Sequence, residues 1–404
     1  MSARKMLRSF YAFVALRWLR LTGALWILYL LHVGWSLWQV GIAEAAFHLV
    51  SFAAGVPTGV YADRIGRRRS LVIGLLIGVL APPLEYLLAP RGVLPGSLTL
   101  GFSALGWCFI GGADQALLYD LSRRLPEGSQ AFARLYGRMD AISLLSGAVA
   151  APLGGWLALS LGWRYAYFGQ SLLTALAILP VLLLPRTEHA GPGVTAATDA
   201  ATSRPSLAEA WQVVRSSPGL LGLVLFGALL GIVATSNHLY GQSSLTQRGE
   251  TVLVATAVIG VSSLLAAAAS ALAHRLDDRH HRRLVRWGTL ALGVLIAAVG
   301  TTKGALAPLS FAGSNACEGG VNVLYAAELN RAVPDALRAT IASAPEALFS
   351  LGMIALFPLE GWAMGRFGLS PVYLALGLGL ALTTPLIAQK RLRRGPGGNA
   401  VTST

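Results

Sequence analysis

The sequence contains few charged residues and few cysteines. Only 12% of its 404 residues are Asp, Glu, Lys or Arg, whereas soluble domains carry about 25%. In water such a chain would expose too much hydrocarbon, so we expect its main solvent to be lipid. The two cysteines, Cys108 and Cys317, lie in apolar stretches and provide neither metal-ligand spacing nor a disulfide framework.

Motifs of several other protein classes are missing as well. The chain has no nucleotide-binding loop of the form G-x-x-x-x-G-K-[ST], so ATP-driven transport would need another subunit. No metal-site or nucleophile motif stands out, so we expect neither an enzyme nor a cofactor. The strict polar–apolar alternation over about 10 residues that marks an outer-membrane barrel does not occur.

Long apolar segments make up most of the chain. Apolar residues account for 54% of it, and the mean hydropathy is +0.60. About 20 apolar residues cross a bilayer as a helix, which satisfies its own backbone hydrogen bonds in lipid. We predict an all-α integral membrane protein with twelve transmembrane helices, at residues 11–33, 37–61, 70–88, 97–121, 139–160, 164–185, 218–241, 251–273, 284–300, 305–329, 338–362 and 370–389.

Lys and Arg residues are distributed unevenly between the loops. If the N-terminus is cytoplasmic, 25 of them fall in cytoplasmic segments and five in outer loops, as the positive-inside rule requires. We therefore expect a multi-pass protein of the cell membrane, plasma or inner, with both termini in the cytoplasm. The same distribution explains the net charge of +14 without a nucleic-acid partner. The start of the chain has no cleavage site, so the first helix is expected to be retained.

The two halves of the chain resemble each other. Residues 120–126, DLSRRLP, match residues 328–334, ELNRAVP, at an offset of 208. Residues 152–156, PLGGW, match residues 358–362, PLEGW, at an offset of 206. An even number of helices per half gives a parallel repeat about an axis along the membrane normal. We therefore predict two six-helix bundles related by a pseudo-twofold axis.

A polar stretch at residues 186–204 separates the halves. Ser206, followed by Glu209 three positions later, has the pattern of a capped helix start. We predict an N-terminal bundle at residues 1–185, a cytoplasmic linker with a short surface helix at 186–217, and a C-terminal bundle with a basic tail at 218–404.

The loop between the second and third predicted helices carries the most specific motif. It reads GVYADRIGRRR over residues 59–69 and closely resembles the major facilitator pattern G-x-x-x-D-R-x-G-R-R. The resemblance implies a latch on the cytoplasmic side in the outward-facing state. In it, Gly59 lets the second and eleventh helices approach, and Asp63 accepts hydrogen bonds from a neighbouring helix N-terminus and arginines. The implied gating residues are Gly59, Asp63, Arg64, Gly66, Arg67 and Arg68.

The equivalent loop of the second half is altered. Residues 270–279 lack the glycine, and His274 stands where the aspartate is expected. We expect this copy to contribute less to gating, although Asp277, Asp278 and the adjacent arginines offer a substitute network.

Further segments are similar to the bacterial drug:proton antiporter branch of the superfamily, which includes macrolide-efflux-type proteins. They are VPTG at 56–59, GADQALLYD at 112–120 and RAT at 338–340. The antiporter pattern G-P-x-x-G-G departs at residues 150–155, which read AAPLGG. This departure counts against drug export, which is the activity that the similarity to antiporters implies. The resemblance implies a small-molecule substrate and protons as partners, and we expect a monomer.

Ionisable residues inside predicted helices are candidates for function, because each costs about 2.5–3.5 kcal/mol at bilayer depth. A coupling carboxylate must exchange protons near neutral pH, and removal from water favours its protonated form. An interhelical hydrogen bond or ion pair that stabilises packing is an equal alternative for each residue. The proton-coupling candidates are Asp114, Glu318, Glu44, His48 and Glu346.

Two arginines, Arg17 and Arg20, lie on one face of the first predicted helix. They either extend to the cytoplasmic surface or face the cavity and pair with Asp114 or with an anionic group of a substrate. Aromatic and amide residues are further candidates for a cavity that accepts amphipathic molecules, with ordinary packing as the alternative. They are Trp26, Tyr29, Trp107, Gln115, Tyr119, Asn237, His238, Asn315, Asn322 and Tyr325.

These observations support three functional hypotheses. The first, from the resemblance, is secondary active transport by alternating access, with proton-coupled efflux of amphipathic small molecules such as drugs. The second is uptake or exchange of a specific metabolite, for which cavity-facing Arg17 and Arg20 would indicate an anion. The third is a non-transporting membrane sensor, for which an added soluble domain would be the sign.

Overall fold

The computed structural model describes residues 3–125, 131–184, 207–273, 275–277, 280–333, 337, 341 and 343–387, and its regular elements there are helices. One short 3₁₀ turn, Ala89–Arg91, follows the fourth α-helix. The α-helices are α1 Ala3–Trp18, α2 Trp26–His32, α3 Leu37–Ile65, α4 Arg67–Leu88, α5 Val93–Ile110, α6 Ala113–Ser122, α7 Phe132–Ser160, α8 Trp163–Leu182, α9 Leu207–Ser216, α10 Pro218–Gln247, α11 Val252–Ala273, α12 His281–Thr301, α13 Leu306–Ala332, α14 Ala344–Phe367, α15 Leu369–Leu382 and α16 Thr384–Ile387.

Most of these helices are suited to a membrane. Among the described residues, 10 helical segments are long and apolar enough to cross one. Two other segments complete the predicted set of twelve. One is the first segment, which is divided into α1 and α2, and the other is α13, which has 27 residues but several polar ones.

The outer surface of the helices is apolar. Val56, Leu94 and Leu382 expose 77%, 72% and 78% of their surface. Soluble monomers rarely expose large contiguous apolar patches, whereas lipid tails solvate such side chains. The exposed surface therefore agrees with the expectation of a lipid solvent.

Two predicted helices are interrupted. The first, predicted at residues 11–33, breaks after Trp18 in a turn in which Arg20 N–H donates to the Trp18 carbonyl at 2.8 Å and Gly23 N–H donates to the Arg20 carbonyl at 3.0 Å. The fourth, predicted at residues 97–121, breaks between α5 and α6, where Gly112 has a φ of 77°. Glycine adopts positive φ without steric cost. A hydropathy average over about 20 residues does not register so short a break. The prediction of a continuous helix was therefore wrong for these two segments.

The described residues fall into two compact units. The first unit comprises those within Met1–Thr195, Gln242–Leu264 and Met353–Arg366. The second comprises those within Ala196–Gly241, Leu265–Gly352 and Phe367–Thr404. The bundle boundaries expected from the sequence stay a prediction.

The first unit has a core shared by α1, α4, α6, α7 and α8. Phe10, Leu71, Leu117 and Val181 belong to it, and each is fully buried. Small residues allow its helices to cross closely, as is usual in membranes. A Cβ at Gly41 would lie 2.5 Å from the Cα of Pro358, which marks the close approach of α3 to α14.

The second unit is built around α12, which packs against α13 and α15. Leu292 and Ile296 of α12 and Tyr373 of α15 are fully buried. Two glycines permit the α12–α15 crossing, because a Cβ at Gly377 would lie 2.3 Å from the carbonyl oxygen of Gly293.

Some sequence predictions fall outside the described residues. They concern the linker at 186–204, the helix cap at Ser206, the substituted loop position His274 and the RAT segment at 338–340. A helix, α9 at Leu207–Ser216, follows Ser206, and its place on the surface stays a prediction.

Candidate functional site

Two arginines lie against one tryptophan in the first unit. The Cζ atoms of Arg17 and Arg20 are 4.1 Å and 4.7 Å from the ring centre of Trp107, which α5 supplies. Trp18 meets the same ring edge-on at 5.8 Å. Arg17 Nε is buried and has no hydrogen-bond partner among the described residues. Both arginines therefore pack against α5, and their orientation toward a substrate cavity stays a prediction.

Three carboxylates interact electrostatically with the arginine pair. Asp114 of α6 interacts electrostatically with Arg17, whereas Glu44 of α3 and Glu85 of α4 interact with Arg20. Within the described part of the chain, neither guanidinium reaches ion-pair distance of a carboxylate. The guanidinium N–H groups are therefore not occupied by direct carboxylate contacts.

Glu44 and His48 form a close pair on α3. They lie one turn apart, with 3.4 Å between Glu44 Oε1 and His48 Nε2. Both are buried, at 9% and 8% exposure. Their spacing in the sequence predicts that they share a helix face. The contact joins the His48 imidazole to one of the carboxylates that interact electrostatically with Arg20.

Glu85 was missed by the sequence reasoning. The Tyr167 hydroxyl of α8 donates to Glu85 Oε1 at 3.1 Å, and Tyr167 is fully buried. The signal that could have found it is a carboxylate in an apolar segment, the same criterion that selects Asp114.

Tyr29 belongs to an aromatic cluster near Glu85. Its hydroxyl donates to the Tyr86 carbonyl at 2.6 Å, and its ring centre lies 4.8 Å from that of Tyr167. A cavity of about 450 Å³ adjoins Tyr29, with His32 and Trp163 in its wall. Tyr29 therefore lines a cavity formed by helix ends and connecting turns, and its role in a substrate cavity stays a prediction.

The remaining substrate-cavity candidates of the first unit lie on α2 and α6. Trp26 is partly buried, while Gln115 and Tyr119 are exposed. Tyr119 packs edge-on against Phe132 of α7 at 5.5 Å. The backbone N–H of Gln115 donates to Asp114 Oδ1 at 2.7 Å, which helps to hold the Asp114 carboxylate at the start of α6.

In the second unit, buried amides join α10 to α13. Asn237 Nδ2 donates to Ser314 Oγ at 2.9 Å. The His238 ring and Asn315 Oδ1 are hydrogen-bonded at 3.1 Å. Tyr325 is buried against Phe226 of α10, whereas the side chain of Asn322 is exposed. The predicted amide candidates thus include two paired contacts, and Asn322 is not part of them.

The two carboxylate candidates of the second unit differ in setting. Glu318 is partly buried in α13, and no described residue forms a hydrogen bond or ion pair with it. Glu346 is exposed in the first turn of α14, where it interacts electrostatically with Tyr325. Glu318 is thus isolated and partly buried, whereas Glu346 is exposed, and a coupling role for either stays a prediction.

Only some residues of the predicted gating loop contact other described parts of the chain. Gly66, at a φ of 92°, ends α3. Arg67 pairs with Asp120 of α6 and donates to the Ala116 carbonyl, while Arg68 donates to the Leu184 carbonyl at 3.0 Å.

Two of the expected contacts are not seen among the described residues. Asp63 and Arg64 are exposed, and no described residue donates a hydrogen bond to Asp63. A Cβ at Gly59 would meet no atom of a described residue within 4 Å. The latch of the outward-facing state stays a prediction. The close approach of α3 to α14 lies instead at Gly41, five turns earlier along α3.

The second half repeats the arginine–carboxylate contact. Arg282 Nε lies 2.7 Å from Glu328 Oε2, and Arg331 lies 3.1 Å from Glu328 Oε1. Arg67 and Arg282 both stand in the first turn after a loop, and Asp120 and Glu328 are the matched positions of the sequence repeat. The two halves therefore share this arginine–carboxylate contact as well as sequence similarity.

Comparison with known proteins gives a consistent answer. The profile described as Major Facilitator Superfamily matches residues 9–355, and no curated protein sequence matches significantly. The nucleoside transporter NupG superposes with a TM-score of 0.73 at 13% identity, over 96% of this chain and 98% of that one. A D-xylose-proton symporter superposes with a TM-score of 0.72 at 14% identity, over 95% and 96%. At such identities the likeness shows the fold alone.

Proposed function

Because the chain belongs to the major facilitator superfamily, we propose that it exports amphipathic small molecules by proton-coupled alternating access. As a member, it is a multi-pass membrane transporter with the all-α major facilitator fold and not an enzyme. Substrate class, direction and coupling ion are the proposed parts. The orientation with both termini in a bacterial cytoplasm is proposed with them.

The charged cluster of the first unit carries this proposal. Arg17, Arg20, Asp114, Glu44 and Glu85 lie in or beside apolar helices, where each charge is costly. Proton exchange needs carboxylates whose charge can be gained and lost within such a setting. Glu318 of the second unit is a further proposed coupling residue on the same argument.

The export direction rests on sequence similarity. The VPTG and GADQALLYD segments at 56–59 and 112–120 are similar to drug:proton antiporters. Asp114 belongs to the second segment and interacts electrostatically with Arg17. This coincidence of motif and charged cluster makes Asp114 the first residue to test.

Flux measurements test the proposal directly. Proteoliposomes loaded with a broad panel of amphipathic compounds are expected to show substrate flux when a pH gradient is imposed. Asp114→Asn should abolish the proton-driven component, because the variant has no exchangeable carboxyl group there. Asp140→Asn, at an exposed position of α7, is the matched control and should behave as wild type. Absence of flux across the panel would refute the proposal, and normal flux in Asp114→Asn would remove that residue from coupling.

A second candidate function is transport of an anionic metabolite. It is favoured by the two guanidinium groups that lack direct carboxylate contacts, since a carboxylate or phosphate would satisfy them. In a stability screen, anionic metabolites should then raise the unfolding temperature of the wild type. The same compounds should have no effect on Arg17→Gln.

A further inference from the structure

The cavity beside Tyr29 has aromatic and basic residues in its wall. The ring of Tyr29 lies 5.5 Å from that of Tyr86 and 5.6 Å from that of Trp163. The His32 imidazole stacks on Trp163 at 5.2 Å, and Arg164 follows Trp163 at the start of α8. All five residues line the cavity. We propose that it binds a soluble aromatic anion, with the ring of the ligand against the aromatic side chains and its anionic group at Arg164.

The cavity is formed where several helix ends of the first unit meet. Its lining comes from the end of α2, the end of α4 with the following turn, and the connection from α7 to α8. Its volume of about 450 Å³ is in the range of small-molecule sites, roughly 300–1,000 Å³. His32, Leu161 and Arg164 are exposed, so a ligand can enter from the surface of the unit. The cavity therefore has the size and the access that a ring compound needs.

Arg164 determines the charge of the ligand. It stands in the first turn of α8, which contains no acidic residue and where the helix dipole disfavours a cation. Its guanidinium donates to the Tyr165 hydroxyl at 2.6 Å, and it forms no ion pair with a described residue. A guanidinium has five N–H donors, so others remain for a ligand. A carboxylate, sulfonate or phosphate group would accept them and would offset the unfavourable interaction with the helix dipole.

An organic cation is a poorer match to the same wall. Aromatic faces attract quaternary ammonium groups, but the described residues that line the cavity include no carboxylate, and Arg164 would repel a positive charge. Glu85, the neighbour of Tyr86 in sequence, accepts the Tyr167 hydroxyl and is not one of the lining residues. The aromatic wall therefore favours a ring, and Arg164 favours a negative charge on it.

Binding to the full-length protein in phosphatidylcholine nanodiscs tests the proposal. The probe is naphthalene-2-sulfonate, whose charge does not change near neutral pH, and calorimetry measures its affinity. We expect the wild type to bind it and Arg164→Gln to bind it about tenfold or more weakly, because a hydrogen bond to a charged group is lost. Arg91→Gln is the matched control, because Arg91 is an exposed arginine outside the cavity wall, and it should bind as the wild type does.

A neutral probe separates the ring from the charge. Naphthalene-2-methanol should bind the wild type and Arg164→Gln equally, which also shows that the variant keeps a folded cavity. Trp163→Leu should weaken the binding of both naphthalene compounds by about two- to tenfold, because an aromatic contact is lost. Trp156→Leu, at an exposed tryptophan of α7, should bind both compounds as the wild type does.

Several results would overturn the inference. Absence of sulfonate binding to the wild type would refute the site, and equal affinity of Arg164→Gln would refute its charge. Tighter binding of 2-naphthyltrimethylammonium than of the sulfonate would do the same on the wild type alone, whether or not a variant folds. Sulfonate binding that Arg17→Gln abolishes would place the anion at the arginine pair instead.

A lipid anion is distinguished by the composition of the nanodisc. Sulfonate binding should persist when phosphatidylglycerol is added, and its loss would show that the cavity takes a lipid headgroup and not a soluble anion. The inference goes beyond the proposed function, because binding at this cavity requires neither transport nor proton coupling. Proton-driven flux is a separate measurement, so the two can fail independently.

Discussion

At the scale of single residues, Trp107 organises the cluster. Its ring lies within 5 Å of both guanidinium centres, and arginine over a tryptophan face is a favourable cation–π arrangement. Two like charges three residues apart repel each other, and the contact of both with one aromatic ring offsets part of that cost without adding a charge. The tryptophan therefore keeps the arginines in place while leaving their N–H groups to other partners.

We expect Trp107→Leu to destabilise the protein by about 1–2 kcal/mol, since the aromatic face is lost. Trp107→Phe should lose less, because a smaller aromatic face remains. Thermal unfolding in detergent measures both, with Trp156→Leu as control because Trp156 is 48% exposed. Equal stability of Trp107→Leu and Trp107→Phe would contradict a role for the aromatic face.

At the scale of elements, the sequence predicts where helices lie better than where they break. Hydropathy located the segments, because length and apolar character suffice for the 10 described ones that are long and apolar enough to cross a membrane. It did not locate the turns after Trp18 and Ile110, which depend on backbone conformation at a few residues. The contact at Gly41 was missed for a related reason, because it depends on which helix faces which, and a single sequence does not contain that information. The partners of Glu85 depend on the same packing, although its place in an apolar segment could be read from the sequence.

Two glycines of α7 provide a matched test of helix packing. A Cβ at Gly154 would lie 2.1 Å from the Leu21 carbonyl oxygen, whereas one at Gly147 would meet nothing within 4 Å. Gly154→Ala should therefore destabilise the protein by about 1–3 kcal/mol through overpacking. Gly147→Ala should be neutral or stabilising by up to about 1 kcal/mol, because alanine favours the helix. Unfolding temperatures that fall equally in both would argue against a close contact at Gly154.

At the scale of the whole molecule, the repeat extends from sequence to contacts. Asp120 with Arg67 and Glu328 with Arg282 occupy matched positions in the two halves. The copies differ in burial, since the side chain of Asp120 is 29% exposed and that of Glu328 is 2% exposed. Related halves have thus kept one contact and placed it in different surroundings.

This difference predicts unequal effects of equivalent substitutions. Arg282→Gln removes one of two arginines from a buried carboxylate and should cost about 1–3 kcal/mol. Arg67→Gln affects a partly exposed pair and should cost about 1 kcal/mol or less. Denaturation of the two variants measures their free energies of unfolding. The double variant with Glu328→Gln and Arg282→Gln should recover part of the stability that Arg282→Gln loses. A larger effect for Arg67→Gln would show that burial does not set the strength of these pairs.

The broken first segment also bears on how the protein is made. It carries Arg17 and Arg20 about halfway along its length, and each arginine opposes membrane insertion by about 2.5–3.5 kcal/mol at a helix centre. When this segment leaves the ribosome, its electrostatic neighbour Glu44 on α3 has not yet followed. We therefore expect the first segment to integrate poorly by itself and to enter the bilayer as a hairpin with α3. Biogenesis would then depend on the same charges that we assign to transport.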